Sequence, residues 1–122
     1  MRRVLDTNVV LYFLAGRLAE PLPSGDYLVS VISELEPLSY PQLTDSEENE
    51  IRSFLSDVTV VELNAEVRGA AVRLRREHNL KLPDAIVCAT AFVMDAELLT
   101  NDLRLARLTD VRVTSMPLKP PE

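Results

Sequence analysis

The chain has 122 residues, 47% of them hydrophobic, and 19 acids against 13 bases give a net charge of −6. That length fits one domain with its own core, and the acidic balance argues against a basic nucleic-acid clamp, although a bound cation can reverse charge locally. A single cysteine, Cys88, and a single histidine, His78, exclude an intramolecular disulfide and a Cys/His zinc site.

In chain order, Arg2 to Leu5 reads as a short strand ending at Asp6. An Asp6-Thr7-Asn8 turn then caps a helix over Asn8 to Ala15, which Gly16 closes. Leu18 to Gly25, with two prolines and a glycine, is a loop, and Tyr27 to Val29 is a second strand. Ser30 caps a helix to about Tyr40 that Pro37 bends or shortens. Thr44 and Glu47 form a capping box opening an acidic helix to about Ser56. Val58 to Val61 is a β-branched strand. Asn64 caps a helix whose inner face carries Val67, Ala70, Ala71, Leu74 and His78. Pro83 opens a helix over Asp84 to Ala96 that is apolar almost all round. Glu97 to Thr100 is a strand, Leu103 to Leu108 a short helix, Val111 to Val113 a last strand and residues 117–122 a short tail.

Alternating strands and helices predict one α/β domain over 1–122 with a mostly parallel sheet of about four to five short strands. Ligands of such sheets sit beyond the carboxyl ends of the strands, at a switch in strand order. The start of the chain does not read as a signal peptide, and no stretch reaches the roughly 20 apolar residues of a membrane span. A cytoplasmic protein without membrane contact is therefore expected.

Most of the acids line solvated faces, as Glu47, Glu48 and Glu50 do. Asp6, Glu34, Glu36, Asp84 and Asp102 lie among apolar neighbours, where carboxylates are rare unless paired with a cation or a metal. Each has an ordinary explanation. Asp6 and Asp102 can cap helices, Asp84 can sit in a first turn, and Glu34 and Glu36 can be solvated. Together, however, Asp6 and Asp102 fall at the carboxyl ends of strands, with Asp84 opening the helix before the second of them. No arginine or lysine in these segments is an evident buried partner, so a hard divalent cation would relieve the repulsion, and oxygen ligands favour Mg²⁺ or Mn²⁺.

The segments Val4-Leu5-Asp6-Thr7-Asn8, Val29 to Glu36, Leu82 to Ala91 and Leu98-Leu99-Thr100-Asn101-Asp102, in that order, resemble the PIN-domain ribonucleases. Their order and spacing are most similar to the VapC-type toxins of bacterial toxin–antitoxin pairs, over Arg3 to about Val113. The resemblance implies a metal-dependent endoribonuclease, with Asp6, Asp84 and Asp102 as metal-site acids. A family pattern of Ser-x-x-Ser/Thr-x-x-Glu, counted from Ser30 and Ser33, selects Glu36 as the helix acid, with Glu34 as the second choice. Asn8 and Thr100 match positions that orient the carboxylates. Pro37 directly after Glu36, and Leu103-Arg104-Leu105 where an aromatic residue often stands, depart from the pattern.

The implied chemistry is hydrolysis of a phosphodiester by a metal-activated water, with no histidine or lysine base. Arg17, Arg104 and Arg107 are candidates for holding flanking phosphates, His78 reads as a core-edge residue and Cys88 as a small buried one. The implied partners are RNA, a cognate antitoxin whose basic segment could plug the crevice, and a second copy of the chain. A homodimer would cover apolar excess on Val9 to Leu14 and Ile86 to Met94. Two other classes compete. A phosphoacceptor signalling domain would want a lysine at a strand end, and neither Lys81 nor Lys119 ends one. A non-catalytic α/β interaction module would not need all the acidic positions filled.

Overall fold

The computed structural model describes residues 1–121. Five strands, β1 (Arg2–Leu5), β2 (Asp26–Ser30), β3 (Thr59–Val61), β4 (Glu97–Leu99) and β5 (Val113–Thr114), form one sheet in the order β3-β2-β1-β4-β5. Every pairing is parallel. Five helices connect them: α1 (Thr7–Leu14), α2 (Val31–Leu38), α3 (Asp45–Ser56), α4 (Ala65–His78) and α5 (Leu82–Val93). The expected α/β class is the observed one.

Adjacent residues of the central strands point to opposite faces, and each face has its own core. Val4, Leu28 and Leu98 pack under α4 and α5 with Val67, Ala71, Leu74 and Ala85. Leu5, Val29 and Leu99 pack on the other face with Val9, Val10 and Phe54 of α1 and α3. Most of the apolar surface of α5 is covered within the chain, since Ala85 through Ala91 are all buried against the sheet and α4, whereas Leu82 and Phe92 near its ends are exposed. What remains of the apolar excess expected over Ile86 to Met94 is concentrated at Phe92, which is 44% exposed. At the end of α1, by contrast, the Phe13 ring is 40% exposed and lies 5.7 Å from that of Phe54.

Element ends differ from expectation for local reasons. Helix α2 stops at Leu38, not Tyr40, because Pro37 inside it offers no N–H to the preceding turn. Helix α5 stops at Val93, not Ala96. Asp95 adopts φ 49°, and the Asp95 and Ala96 amides donate back to Phe92 and Ala91, the bonding of a left-handed helix terminator. The segment expected as a helix over Leu103 to Leu108 is a turn followed by one turn of 3₁₀ helix, Leu105–Arg107, too short for an α-helical nucleus. The last strand begins at Val113, because Val111 turns into the core instead. The expected tail is tied down in part. Leu118 bridges Leu18, and Lys119 N–H donates to Arg17 at 2.8 Å; Glu122 lies outside the described residues. No helix among the described residues is long and apolar enough to cross a membrane.

His78 closes α4 onto the loop before β5. Its Nε2 lies 2.9 Å from Asp110 Oδ1, and Arg73 Nη1 donates to Asp110 Oδ2 at 3.3 Å. Burial pushes the Asp110 carboxyl up, but the bonds to His78 and Arg73 outweigh it, and the carboxyl sits below its ordinary range. A carboxyl depressed in the folded state stabilises above its unfolded pKa and loses that contribution as pH falls through the folded one. Asp110→Asn is thus expected to lower the melting temperature at neutral pH. Melts at successively lower pH should find the difference shrinking through the carboxylate range; a difference constant down to about pH 2 would contradict the ion-pair account.

Candidate functional site

Strand β1 sits between β2 and β4, so the chain leaves it first toward β2 and later returns on its other side as β4. The switch point therefore lies at the carboxyl ends of β1 and β4. Register pairs Leu5 with Leu99, which sets Asp6 and Thr100 side by side just past the strand ends. Asp6 N–H donates to the Leu99 carbonyl at 3.0 Å, continuing the ladder by one bond.

A cleft of about 260 Å³ opens there, lined by Asp6, Glu36, Asp84 and Asp102 together with Thr7, Asn8, Tyr40, Lys81, Pro83 and Arg104. Two larger grooves, about 590 and 690 Å³, lie elsewhere around Phe13 and Phe54, and a third, about 510 Å³, runs from Tyr40 to Glu47. Four separate segments thus bring their acids to one place. Glu36 is among them, whereas Glu34 is not in the lining and sits in the first turn of α2.

The carboxylates are held individually. Asp6 is the N-cap of α1, so its ordinary role and its place in the cleft coexist. Its Oδ1 accepts from Thr7 N–H at 2.8 Å and its Oδ2 from the Thr100 hydroxyl at 2.6 Å. Thr100 is 1% exposed and in turn accepts from Asp102 N–H at 3.1 Å, linking two of the acids through one hydroxyl. Glu36 Oε1 accepts from the Thr7 hydroxyl at 2.8 Å, and buried Ser33 lies 2.9 Å from that hydroxyl. Asn8 lines the cleft but is exposed, and no hydrogen bond ties it to an acid. The orienting contact expected of Asn8 is made by Thr7. Helix α1 starts one residue earlier than expected, which turns Thr7 inward.

Burial pushes the Asp6 carboxyl above its ordinary range; the Thr100 and Thr7 bonds pull it back, and Asp84 and Asp102 add to the rise. Burial likewise raises Asp84, against the pull of Arg104, with Asp102 and Glu36 adding to it. Asp102 is lowered, chiefly by its hydrogen bond to Arg104. Arg104 Nη2 donates to Asp102 Oδ2 at 2.7 Å and reaches Asp84 Oδ2 at 3.3 Å, and its Nε donates to Asp102 Oδ1 at 3.1 Å. The expectation is that no buried arginine or lysine partners the acids; the partner found, Arg104, is 60% exposed and reaches them from the surface. Of the three arginines considered for phosphates, only Arg104 lines the cleft. Below the cleft, burial pushes the Cys88 thiol up to about 12, so it is an inert part of the core.

The donor chemistry fits a hard divalent cation: four carboxylates, no histidine, no cysteine, and repulsion among the acids that a cation would relieve. Two of the acids, Asp84 and Asp102, are paired with the Arg104 guanidinium. Among the described residues, only Glu77, His78 and Asp110 bring three donor atoms within 4.8 Å, and Arg73 already pairs with Glu77 and Asp110 there.

A family model described as PIN domain matches residues 3–111. Among solved structures, a toxin–antitoxin complex from Klebsiella pneumoniae contains a chain 28% identical, with TM-score 0.72, covering 89% of this chain and 94% of that one. VapBC2 from Rickettsia felis, bound to a promoter DNA fragment, matches at 16% identity and TM-score 0.77, covering 95% and 99%. DNA-bound VapBC from Salmonella typhimurium matches at 17% and 0.77, covering 94% and 98%. At these last two identities the likeness is one of fold. No curated protein matches the chain.

Proposed function

The chain belongs to the PIN-domain family, and from that premise we propose that it is a metal-dependent endoribonuclease, the toxin of a toxin–antitoxin pair. The observation that carries the reading is the convergence of Asp6, Glu36, Asp84 and Asp102 on one cleft at the sheet's switch point. Mg²⁺ or Mn²⁺ bound there would supply Lewis-acid polarisation of a phosphodiester and a water of lowered pKa.

The protein's own residues do the rest. Asp6 and Asp84 hold the ion, with Glu36 and Asp102 completing the set. Thr100 and the Thr7 amide fix both oxygens of Asp6, and the Thr7 hydroxyl fixes one of Glu36, so little rotamer freedom is lost when the ion binds. Lys81, in the cleft lining, offers a positive charge to flanking phosphates. No side chain acts as a histidine or lysine base.

The protein acts in the cytoplasm, as a homodimer, under the control of a cognate antitoxin whose basic segment enters the acidic cleft. Support for the antitoxin comes from the Klebsiella pneumoniae relative, which stands in a toxin–antitoxin complex. The reading is tested by incubating the purified chain with single-stranded RNA and Mg²⁺ or Mn²⁺. Internal cleavage that a chelator abolishes is expected, and intact RNA or chelator-insensitive cleavage would contradict it.

A further inference from the structure

Arg104 grips both oxygens of Asp102 with its fork and also reaches Asp84. These are oxygens that the nuclease reading assigns to the ion, and the inference rests on that reading. Both carboxylates are partly buried, at 23% and 26% side-chain exposure, whereas the Arg104 side chain is 60% exposed. The guanidinium therefore lies over the acids from the solvent side. Its backbone is anchored separately, since Arg104 N–H donates to Asp102 Oδ1 at 2.9 Å.

We propose that Arg104 is an internal counter-ion of the cation-free cleft, competing directly with a divalent cation for Asp84 and Asp102. In water a carboxylate oxygen gripped by a bidentate guanidinium is a poorer metal ligand, because the two cations repel and share the same lone pairs. Release requires only rotation of an exposed side chain, whose ion pairs are individually weak. The backbone bond to Asp102 survives that rotation, so the acid keeps its orientation as the fork leaves. Arg104 thus keeps the acids together without a metal and lowers the apparent affinity for one.

Mn²⁺ titration of the full chain by calorimetry, without RNA and at low ionic strength, reads this out. Arg104→Ala should bind Mn²⁺ roughly three- to tenfold more tightly than wild type. Arg104→Lys, which keeps the charge but loses the fork, should fall between them and serves if the alanine variant does not fold. Melting gives a second readout. Without metal, Arg104→Ala should melt below wild type, and saturating Mn²⁺ should close the gap, because the ion replaces the missing counter-charge. Unchanged or weaker Mn²⁺ affinity, or a melting gap of equal size with and without Mn²⁺, would overturn the counter-ion role alone. Failure of both wild type and variants to bind Mn²⁺ would overturn the metal-centre reading and the counter-ion role with it.

Discussion

Asp6→Asn and Asp84→Asn are each expected to cut metal-dependent RNA cleavage by at least about a hundredfold while leaving the protein folded. An amide keeps the shape of the carboxyl but has one acceptor oxygen and no charge with which to hold a cation. At position 6 the amide oxygen can still accept from Thr7 N–H, and Thr100, a hydroxyl, can accept as well as donate, so the cap survives. The stability effect has a definite sign. Asp6 is raised in the folded state, chiefly by burial, with Asp84 and Asp102 adding to the rise. A raised carboxyl stabilises below its unfolded pKa and loses that contribution as pH rises through the folded one. At neutral pH the charged Asp6 therefore costs stability, and Asp6→Asn should raise the melting temperature of the metal-free protein by roughly 2–5 °C. Near-wild-type cleavage by both variants would remove the metal-site assignment. A lower melting temperature for Asp6→Asn would mean that its caps outweigh its burial.

Replacement of the two helix acids should separate them clearly. Glu36→Gln is expected to reduce kcat/KM and Mn²⁺ affinity by about tenfold or more, and Glu34→Gln by less than about twofold. Glu36 lines the cleft, is bonded by Thr7 and adds to the raising of Asp84, whereas Glu34 contributes a first-turn charge to α2. Pro37 ends α2 early, yet the turn carrying Ser33 and Glu36 is helical, and both meet the same Thr7 hydroxyl. Steady-state kinetics of the two purified variants decide the matter; equal losses, or a greater loss for Glu34→Gln, would assign the helix acid wrongly.

The acids of the cleft were legible because each announces itself locally: Asp6 after a four-residue apolar-ending strand, Asp84 after Pro83, Asp102 after a buried strand. The parallel sheet followed from strands alternating with helices, and the Thr44–Glu47 capping box from its spacing. What could not be read is what depends on exact backbone direction. Residues two apart do not meet on a helix, so reading Leu103 to Leu108 as helical hid the pairing of Arg104 with Asp102. A turn precedes the 3₁₀ segment instead and folds the arginine back. Thr7 was concealed by a one-residue difference in where α1 begins. The cover over α5 was hidden too, because it comes from α4, and periodicity describes a helix face without saying what packs on it.

The proposed function makes the carboxylate cleft the metal centre. Its most direct test is an anomalous difference map from a crystal of the protein soaked in Mn²⁺. A peak is expected in the cleft lined by Asp6 and Asp84, with the Arg104 fork withdrawn from Asp84 and Asp102. A cleft without a peak, whether or not one appears at Glu77, His78 and Asp110, would contradict it.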